Sequence, residues 1–265
     1  MIHPTAIIHP KAKLDSTVQV GPYAVIDEGV ELGANCVIGP HVYLTGRTTI
    51  GAGNRFHAGC VIGDAPQDLK YKNEPTRLRI GDDNVFREHF TVHRSTKEDA
   101  ETIIGSHNFL MVNAHVAHNC IIGDHVIMAN GALLGGHVEV HDRAFISGNC
   151  VVHQFCRVGK LAMMQGNSAI SVDLPPFTVA LRVNEICGLN SIGLRRAGFT
   201  AEQRLELKRL YHLLFRGGKN LRQAITEAQK DFTGATAKIL LDFVAGAKRG
   251  VCADLGRAAI ESEEE

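Results

Sequence analysis

The segment NAHVAHNC, residues 113–120, places two histidines, His115 and His118, three positions apart beside asparagines and a cysteine. An imidazole titrates near pH 6.5, so it can accept a proton from a hydroxyl group at neutral pH. Histidine is also a common zinc ligand. The segment therefore admits three interpretations: a general base with a second residue that assists it, a metal site, or part of a structural scaffold whose polar side chains have no catalytic role.

Glycine-rich backbone lies a short distance further along the chain, in LGGHV at residues 134–138. Gly135 and Gly136 allow a ligand to approach backbone N–H groups closely. Donors of this kind stabilise the oxyanion that develops in acyl transfer, each contributing roughly 10² to 10³ in rate. A catalytic base is therefore the better interpretation of the histidines than a metal site, and such donors would suit it if the reaction were acyl transfer.

A period of six identifies the scaffold. Every sixth position is apolar over residues 2–62, again over 80–92, and again over 104–170. This spacing predicts a β-solenoid, in which each hexad forms one flat face and turns a corner. The residue two before each apolar anchor also faces inward, because side chains alternate along a strand. Five cysteines occupy this inward position and are interpreted as small core residues: Cys36, Cys60, Cys120, Cys150 and Cys156.

The pattern resembles the left-handed parallel β-helix of the hexapeptide-repeat acyltransferases, in which three hexads form each coil of a triangular prism. The resemblance implies a mainly β fold and a homotrimer. His118 and His137 are 19 residues apart, or about one coil, so they are expected on neighbouring coils near one edge. Adjacent strands are about 4.8 Å apart, which brings such side chains within the width of a substrate. His153 follows near the next coil.

The six-residue phase fails in two places. It lands on Asp68, Glu74 and Glu98, which are unsuited to a buried anchor position. We therefore predict loop excursions near residues 64–79 and 94–103. Loops on a rigid scaffold often carry function.

Helical periodicity replaces the hexads near the C-terminus, after Pro175 and Pro176 end the repeat. The segment 198–218 contains a capping box at Thr200 and Gln203, and two further helices are predicted within 220–232 and 236–250. We predict two domains, a β-helix over 1–184 and an α-helical domain over 185–265.

Composition excludes several other classes. Lys plus Arg and Asp plus Glu both number 28, so no net charge favours nucleic acid. No apolar stretch is long enough for a membrane span, and the N-terminus lacks the pattern of a secretory signal, which predicts a cytoplasmic protein without stable membrane insertion. The seven cysteines form no C-x-x-C pair, which argues against a zinc ribbon or a redox dithiol.

Several longer motifs closely resemble the UDP-N-acetylglucosamine acyltransferases of lipid A biosynthesis, within the hexapeptide-repeat family. They cover nearly the whole chain, and QDLKY-x-x-EPTR and VHQFC are specific to these enzymes. The motifs are QDLKY and EPTR within 67–77, TVHR at 91–94, NAHVAHNC, GGHV at 135–138, VHQFC at 152–156, DLPP, and GLRRAGF at 193–199.

The resemblance implies a reaction and its residues. His118 removes a proton from the glucosamine 3-hydroxyl, which attacks an (R)-3-hydroxyacyl-acyl carrier protein directly, while the N–H of Gly136 holds the oxyanion. No cofactor or metal is implied, and each active site lies between two subunits. The implied substrate contacts are Asp68, Lys70, His93, His115, His137, His153, Gln154, Met163, Gly166, Asn190 and Arg196. Basic residues of the helical domain are expected to meet the acidic carrier protein: Arg195, Arg196, Lys248 and Arg249.

Two departures from the family pattern affect the expected activity. Asn119 follows the candidate base where the family often has aspartate, and Ile192 stands where an acidic residue is frequent. The acceptor is therefore left open between the 3-hydroxyl sugar nucleotide and its 3-amino analogue. Gly166 matches the position that limits acyl chain length, and a glycine there predicts a long chain of about 14 carbons.

Three other functions remain as alternatives. A zinc-dependent hexapeptide carbonic anhydrase also uses stacked histidines, although no two histidines here have the H-x4-H spacing. The N-acyltransferase of the same pathway has a uridine-binding domain before its repeat, whereas here the repeat begins at Ile2. A non-catalytic binding scaffold gives no reason for histidines and loops to converge on the same coils.

Overall fold

The computed structural model describes residues 1–254, which form three parallel β-sheets wound into one solenoid, followed by helices. The first sheet contains Ile7–Ile8, Val25–Ile26, Tyr43–Leu44, Val61–Asp64, Thr91–His93, His115–Val116, Leu133–Leu134, Val151–Val152 and Ala169–Ile170. The second contains Lys13–Leu14, Val30–Leu32, Arg47–Ile50, Arg77–Ile80, Glu101–Ile104, Ile121–Ile122, Glu139–Val140 and Arg157–Val158. The third contains Gln19–Val20, Val37–Ile38, Arg55–Phe56, Val85–Phe86, Phe109–Leu110, Ile127–Met128, Phe145–Ile146, Met163–Met164, Thr178–Leu181, Glu185–Leu189 and Ala253–Asp254.

The chain visits the first, second and third sheets in turn, so each coil has three faces. Successive strands of a face pair in parallel, for example Ile103 with Ile121 and Val151 with Ala169. The predicted anchors and inward cysteines are buried from the second coil onward. The predicted fold class, a parallel β-helix of hexapeptide repeats followed by helices, is confirmed.

Both loop excursions add whole hexads to a coil. Val61 pairs with Thr91, a step of 30 residues, and Thr91 pairs with His115, a step of 24. Each step exceeds the usual coil length by a multiple of six, so the inward positions keep their phase on both sides of each loop. The strands after the loops therefore present their side chains in register with those before them.

The corners between faces use a backbone conformation that is uncommon outside glycine. Asn119, His137 and Phe155 lie one coil apart at one corner, with φ of 59°, 61° and 64°. This left-handed region is tolerated best by glycine and asparagine. At these positions the chain turns between the first and second sheets, and the turn directs the neighbouring side chains outward from the prism.

The prolines near the end of the repeat interrupt it without ending the sheet. The strand Thr178–Leu181 follows Pro175 and Pro176 and still pairs in parallel with Met163–Met164. Val179 pairs with Met163, a step of 16 residues rather than 18, so the hexad phase ends at the prolines as predicted although the sheet continues for one more strand. The boundary predicted at 184/185 falls in the turn between Thr178–Leu181 and Glu185–Leu189, which pair antiparallel.

Four α-helices follow, α1 (Ser191–Arg196), α2 (Ala201–Phe215), α3 (Leu221–Asp231) and α4 (Ala235–Ala245). The three predicted helices are confirmed, as is the capping box of α2, where the Thr200 side chain accepts from the Gln203 N–H. Helix α1 was not predicted; Asn190 caps its N-terminus. Residues 255–265 of the predicted helical domain lie outside the described residues. Across residues 1–254, each helix is too short or too polar to span a lipid bilayer.

Candidate functional site

The His118 side chain lies at the corner between the first and second sheets, half-buried beside its neighbour Asn119. Its Nδ1 atom is 2.9 Å from Asn119 Oδ1. Within residues 1–254, His118 Nε2 makes no hydrogen bond. The ring is therefore held through one nitrogen, and the other nitrogen is available to a ligand.

Gly136, from the next coil, lies directly beneath the His118 ring. A Cβ atom built at Gly136 would stand 2.5 Å from His118 Cε1 and 2.7 Å from Nε2. Only glycine therefore permits this approach. The Gly136 N–H has no acceptor among the described residues, so it is available to donate to a ligand.

His137 and Phe155 extend a column of rings along this corner. The His118 and His137 rings meet edge-to-face at 5.3 Å between centroids, and His137 stacks nearly parallel on Phe155 at 4.5 Å. The expected proximity of His118 and His137 is thus observed. Burial lowers the pKa of His137, and the nearby His118 and Lys97 lower it further.

His115 and His93 form a second pair on the first sheet. Their rings meet at 4.8 Å, and His115 Nδ1 is 2.7 Å from the Thr91 hydroxyl. Burial, reinforced by His93, lowers the pKa of His115 to about 4. Burial also lowers the pKa of His93, whose Nδ1 is buried without a partner. Both rings are therefore neutral near pH 7, and His93 has a nitrogen free for a hydrogen bond.

The first loop excursion presents Asp68 and Lys70. The Asp68 carboxylate accepts the Lys70 N–H at 2.9 Å, and the Lys70 side chain is exposed. Arg94 fixes the loop by donating to the Tyr71 hydroxyl oxygen at 3.0 Å and to the Gly63 carbonyl at 2.9 Å. Asp68 is close enough to His137 to raise its pKa slightly against the effect of burial, which places the loop near the histidine column.

His153 and Gln154 are exposed at the same corner, one coil beyond His137. The His153 ring Nδ1 contacts the Gln154 carbonyl at 3.1 Å. The ring that stacks on His137 belongs to Phe155, which the sequence analysis did not select. The spacing predicts this position, because Phe155 follows His137 by 18 residues, which is one coil.

Met163, Asn190 and Arg196 line a different cavity of about 810 Å³. Its floor is a row of outward apolar side chains of the third sheet, Ile127, Phe145, Met163 and Val179. Asn190 is occupied in the fold, since its side chain accepts the Gly193 N–H at 2.9 Å and donates to the Leu161 carbonyl at 3.0 Å.

Gly166 is exposed next to Gln165, which lines this cavity. A Cβ at Gly166 would make only an ordinary contact, 3.7 Å from the Gly148 carbonyl. A larger side chain is therefore sterically possible at this position.

A basic cavity of about 800 Å³ adjoins the apolar one, with Gln165, Leu189 and Ser191 common to both. Its lining includes the basic side chains Arg182, Arg195, Arg204, Lys208 and Arg216. Lys248 and Arg249 lie elsewhere, in a smaller cavity with His137 and Phe155.

The predicted site residues thus fall into two groups within one chain. The first group gathers at the corner between the first and second sheets: His93, His115, His118, Gly136, His137, His153 and Gln154, with Asp68 and Lys70 on the adjoining loop. In the second group, Met163, Asn190 and Arg196 line the cavity on the third sheet, and Gly166 lies in the turn that follows the third-sheet strand Met163–Met164. Over residues 1–254, no three His, Cys, Asp or Glu side chains have an arrangement suited to a metal ion.

Replacing Gly136 with alanine should displace the His118 ring, because the new methyl group would overlap it. Such overpacking typically costs about 1–3 kcal/mol. A crystal structure of the variant should show a moved or rotated imidazole, and thermal unfolding should report the lost stability. Gly148→Ala is the matched control, since its nearest neighbour would be 3.4 Å away. An unmoved His118 ring in Gly136→Ala would contradict the geometry.

Two family models match the chain. One, described as "Udp N-acetylglucosamine O-acyltransferase; Domain 2", matches residues 173–252. The other, described as "Bacterial transferase hexapeptide (six repeats)", matches residues 11–46, 29–64 and 101–136. The first covers the helices and the second covers parts of the solenoid, so both halves of the chain are matched.

Relatives and solved structures resemble the chain over nearly its whole length. An acyl-[acyl-carrier-protein]–UDP-N-acetylglucosamine O-acyltransferase from Syntrophobacter fumaroxidans is 46% identical over 254 residues, 94% of this chain and 98% of the relative. The Francisella novicida UDP-N-acetylglucosamine acyltransferase structure has a TM-score of 0.91 and 35% identity, covering 98% of this chain and 96% of its own. The LpxA structure from Acinetobacter baumannii has a TM-score of 0.90 and 40% identity, covering 94% and 98%. The chain therefore belongs to the UDP-N-acetylglucosamine O-acyltransferase family of hexapeptide-repeat enzymes.

Proposed function

We propose that the protein transfers an (R)-3-hydroxyacyl chain from acyl carrier protein to the glucosamine 3-hydroxyl of UDP-N-acetylglucosamine, the first step of lipid A biosynthesis. The observation that carries the proposal is the free His118 Nε2 lying over Gly136, whose N–H is also free. A proton acceptor and an oxyanion donor are thus available at one point. The names of the relatives support the same substrates.

The proposed reaction is a direct attack. His118 Nε2 takes the proton of the sugar 3-hydroxyl while its oxygen bonds to the thioester carbon. The resulting oxyanion accepts the Gly136 N–H. The C–S bond then breaks, and the leaving thiolate takes the proton from the imidazolium, which regenerates the neutral base.

The cysteines favour a mechanism without an acyl-enzyme. A thiol must ionise to act as a nucleophile. Cys120, two residues after His118, is fully buried, and burial raises the pKa of its thiol to about 12. Its side chain faces the solenoid interior, so the sugar oxygen is left as the attacking group.

The acceptor is proposed to bind along the corner column. The neutral rings of His93, His115 and His137 can donate and accept hydrogen bonds with the sugar, and Lys70 carries the charge that a pyrophosphate requires. Asp68, His153 and Gln154 complete the set of proposed contacts at this corner.

The active site is proposed to lie between subunits of a homotrimer. His118 occupies the corner between the first and second sheets, which is the corner opposite the third sheet of a triangular prism. The apolar cavity with Met163 lies on that third sheet. We propose that this apolar cavity is the acyl groove, which holds the acyl chain of the donor. In one chain the proposed base and the acyl groove then lie on opposite sides. A second copy would have to bring its third sheet to the first chain's His118.

The carrier protein is proposed to dock at the basic cavity next to the acyl groove. Arg195 and Lys208 are exposed there, and an acidic carrier would be attracted to them. Arg196 lines the apolar cavity at the boundary. Lys248 and Arg249 lie beside His137, which favours contact with the nucleotide over the carrier. The cytoplasmic location stays a prediction.

The 3-amino acceptor is the second candidate, and Ile192 is the residue that favours it. Ile192 lines the apolar cavity and offers no charge where the family frequently has an acidic side chain. A zinc-dependent carbonic anhydrase has no comparable supporting contact in the described residues.

Acyl transfer should be lost in His118→Ala, because the three atoms nearest to a Cβ built at Gly136 all belong to the His118 ring, which is the proposed proton acceptor. We expect kcat to fall by at least about 10²-fold. Mass spectrometry of products from (R)-3-hydroxyacyl carrier proteins with UDP-N-acetylglucosamine, or with its 3-amino analogue, tests both acceptors. His107→Ala is the matched control, since the exposed His107 ring stacks on His125 at 4.9 Å and lies at a different corner of the solenoid from His118. Product from the amino sugar alone would change the acceptor; no product from either would refute the proposal.

Gly166→Met should shorten the transferred chain, because Gly166 is proposed to limit the acyl groove and the structure leaves room for a side chain at this exposed position. The wild type is expected to prefer about 14 carbons and the variant roughly 10, as pocket length sets this kind of discrimination. Competition among carrier proteins of several chain lengths, read by mass spectrometry, gives the ratio. Gly166→Ala should give an intermediate shift. Identical chain-length profiles in all three proteins would remove Gly166 from the groove.

Charge reversal at Arg195 and Lys208 should weaken binding of the acyl carrier protein. We expect KM for the donor to rise about tenfold, with kcat and the KM for the sugar nucleotide little changed. The difference from wild type should shrink at high salt, because exposed charges are screened. Lys238→Glu, on an exposed face of α4, is the control. Equal donor KM in the double variant and the control would place the docking surface elsewhere.

A further inference from the structure

The second loop excursion contacts the residue beside the proposed base. Asn119 Oδ1 accepts hydrogen bonds from the Thr96 backbone N–H at 3.1 Å and from the Thr96 hydroxyl at 2.9 Å. The same oxygen is 2.9 Å from His118 Nδ1. One amide oxygen therefore joins the loop to the imidazole.

These contacts determine which imidazole nitrogen carries the proton. A backbone N–H can only donate, so the Asn119 atom facing Thr96 must be the oxygen rather than the amide nitrogen. An amide oxygen only accepts, so His118 Nδ1 must be the donor in the third contact. The proton is then on Nδ1, and Nε2 keeps the lone pair that a general base needs.

The loop and the asparagine backbone are both anchored. The buried Ser95 hydroxyl contacts the carbonyls of Lys97 and Ala100, and the Ser95 N–H donates to the Arg77 carbonyl at 3.1 Å. The Asn119 N–H donates to the buried Thr102 hydroxyl at 2.8 Å. Thr96 and Asn119 therefore meet between two fixed segments.

We propose that Thr96 and Asn119 are positioning residues that hold His118 in its Nδ1-protonated tautomer through a neutral amide. This inference rests on the proposed role of His118 as the base. It gives the second excursion a function, since the inserted segment supplies the donors that orient the amide.

A charge introduced at position 119 would act directly on the imidazole, because Asn119 Oδ1 is 2.9 Å from His118 Nδ1 and the natural amide carries no charge. An aspartate there would attract the imidazolium, whereas asparagine only orients the ring. The charged and titratable groups that act on His118 and its neighbours among the described residues include His93, His115, His137, Asp64, Asp68, Arg94 and Lys97. These groups are the same in every variant below, and burial lowers the pKa of the three neighbouring histidines.

The test combines imidazole NMR with steady-state kinetics on the full-length protein. Spectra of ¹⁵N-histidine-labelled wild type should contain one ring protonated at Nδ1 whose signals are missing from His118→Gln. Thr96→Val removes the hydroxyl but keeps the backbone donor, and Thr96→Ser restores the hydroxyl. Asn119→Leu removes the acceptor at similar volume, and Asn119→Asp keeps the acceptor but adds charge.

We expect Thr96→Val to lower kcat about tenfold and Asn119→Leu about a hundredfold, with the sugar nucleotide KM within about twofold of wild type. Thr96→Ser should be close to wild type. The Nδ1 proton signal of His118 should weaken in both impaired variants. In Asn119→Asp, the acid limb of the kcat profile should move upward by about one pH unit.

Three results would overturn the proposal: a wild-type His118 protonated at Nε2, unchanged kcat and tautomer in Asn119→Leu, or an unmoved acid limb in Asn119→Asp. Circular dichroism shows whether Asn119→Leu is folded. If it is not, the comparison of Thr96→Val with Thr96→Ser tests the proposal instead. If the wild type transfers no acyl group, the proposed function fails by itself, and the imidazole spectra alone decide whether Thr96 and Asn119 hold the tautomer.

Discussion

The parallel hydrogen-bond ladder between coils is the constraint on which the rest of the molecule depends. Each strand is only a few residues long, so a face is stable because coils stack on one another and bury a continuous core. A slip of one residue would exchange inward and outward side chains over the whole strand. The apolar anchors therefore fix the register, and the register fixes every outward group, including His118, Gly136 and His137.

In such a fold, reactive side chains can be placed at a corner without disturbing the packing of the core. Inward positions are sealed by neighbouring coils, and flat faces present side chains one strand apart. At a corner, the left-handed residue at Asn119 or His137 turns the backbone, and the N–H of Gly136, just before His137, has no acceptor among the described residues. The absent side chain of Gly136 then lets the His118 ring lie against that backbone. Insertion of whole hexads allows loops to reach this corner while the ladder remains in phase.

The six-residue repeat in the sequence predicted the features that depend on regular spacing. It could not predict the features that depend on individual side-chain contacts. Anchors, inward cysteines and the approach of His118 to His137 all follow from spacing. Phe155 obeys the same spacing, but only its stacking on His137 shows that a phenyl ring belongs to the column of imidazoles. The contact between Thr96 and Asn119 spans an insertion whose conformation no period determines. Helix α1 is too short for a periodic signal, and its start depends on the tertiary contacts of Asn190.

The triangular section also explains why one chain is insufficient for the proposed reaction. A corner and the face opposite it are the two parts of a prism that can never meet within the same coil. With the proposed base at a corner and the proposed acyl groove on the opposite face, the proposed reaction requires a second copy, whose third sheet would enclose the reacting atoms together with that corner. Exclusion of water there strengthens each hydrogen bond. The neutral amide of Asn119 suits such a site, because it orients the imidazole without burying another charge.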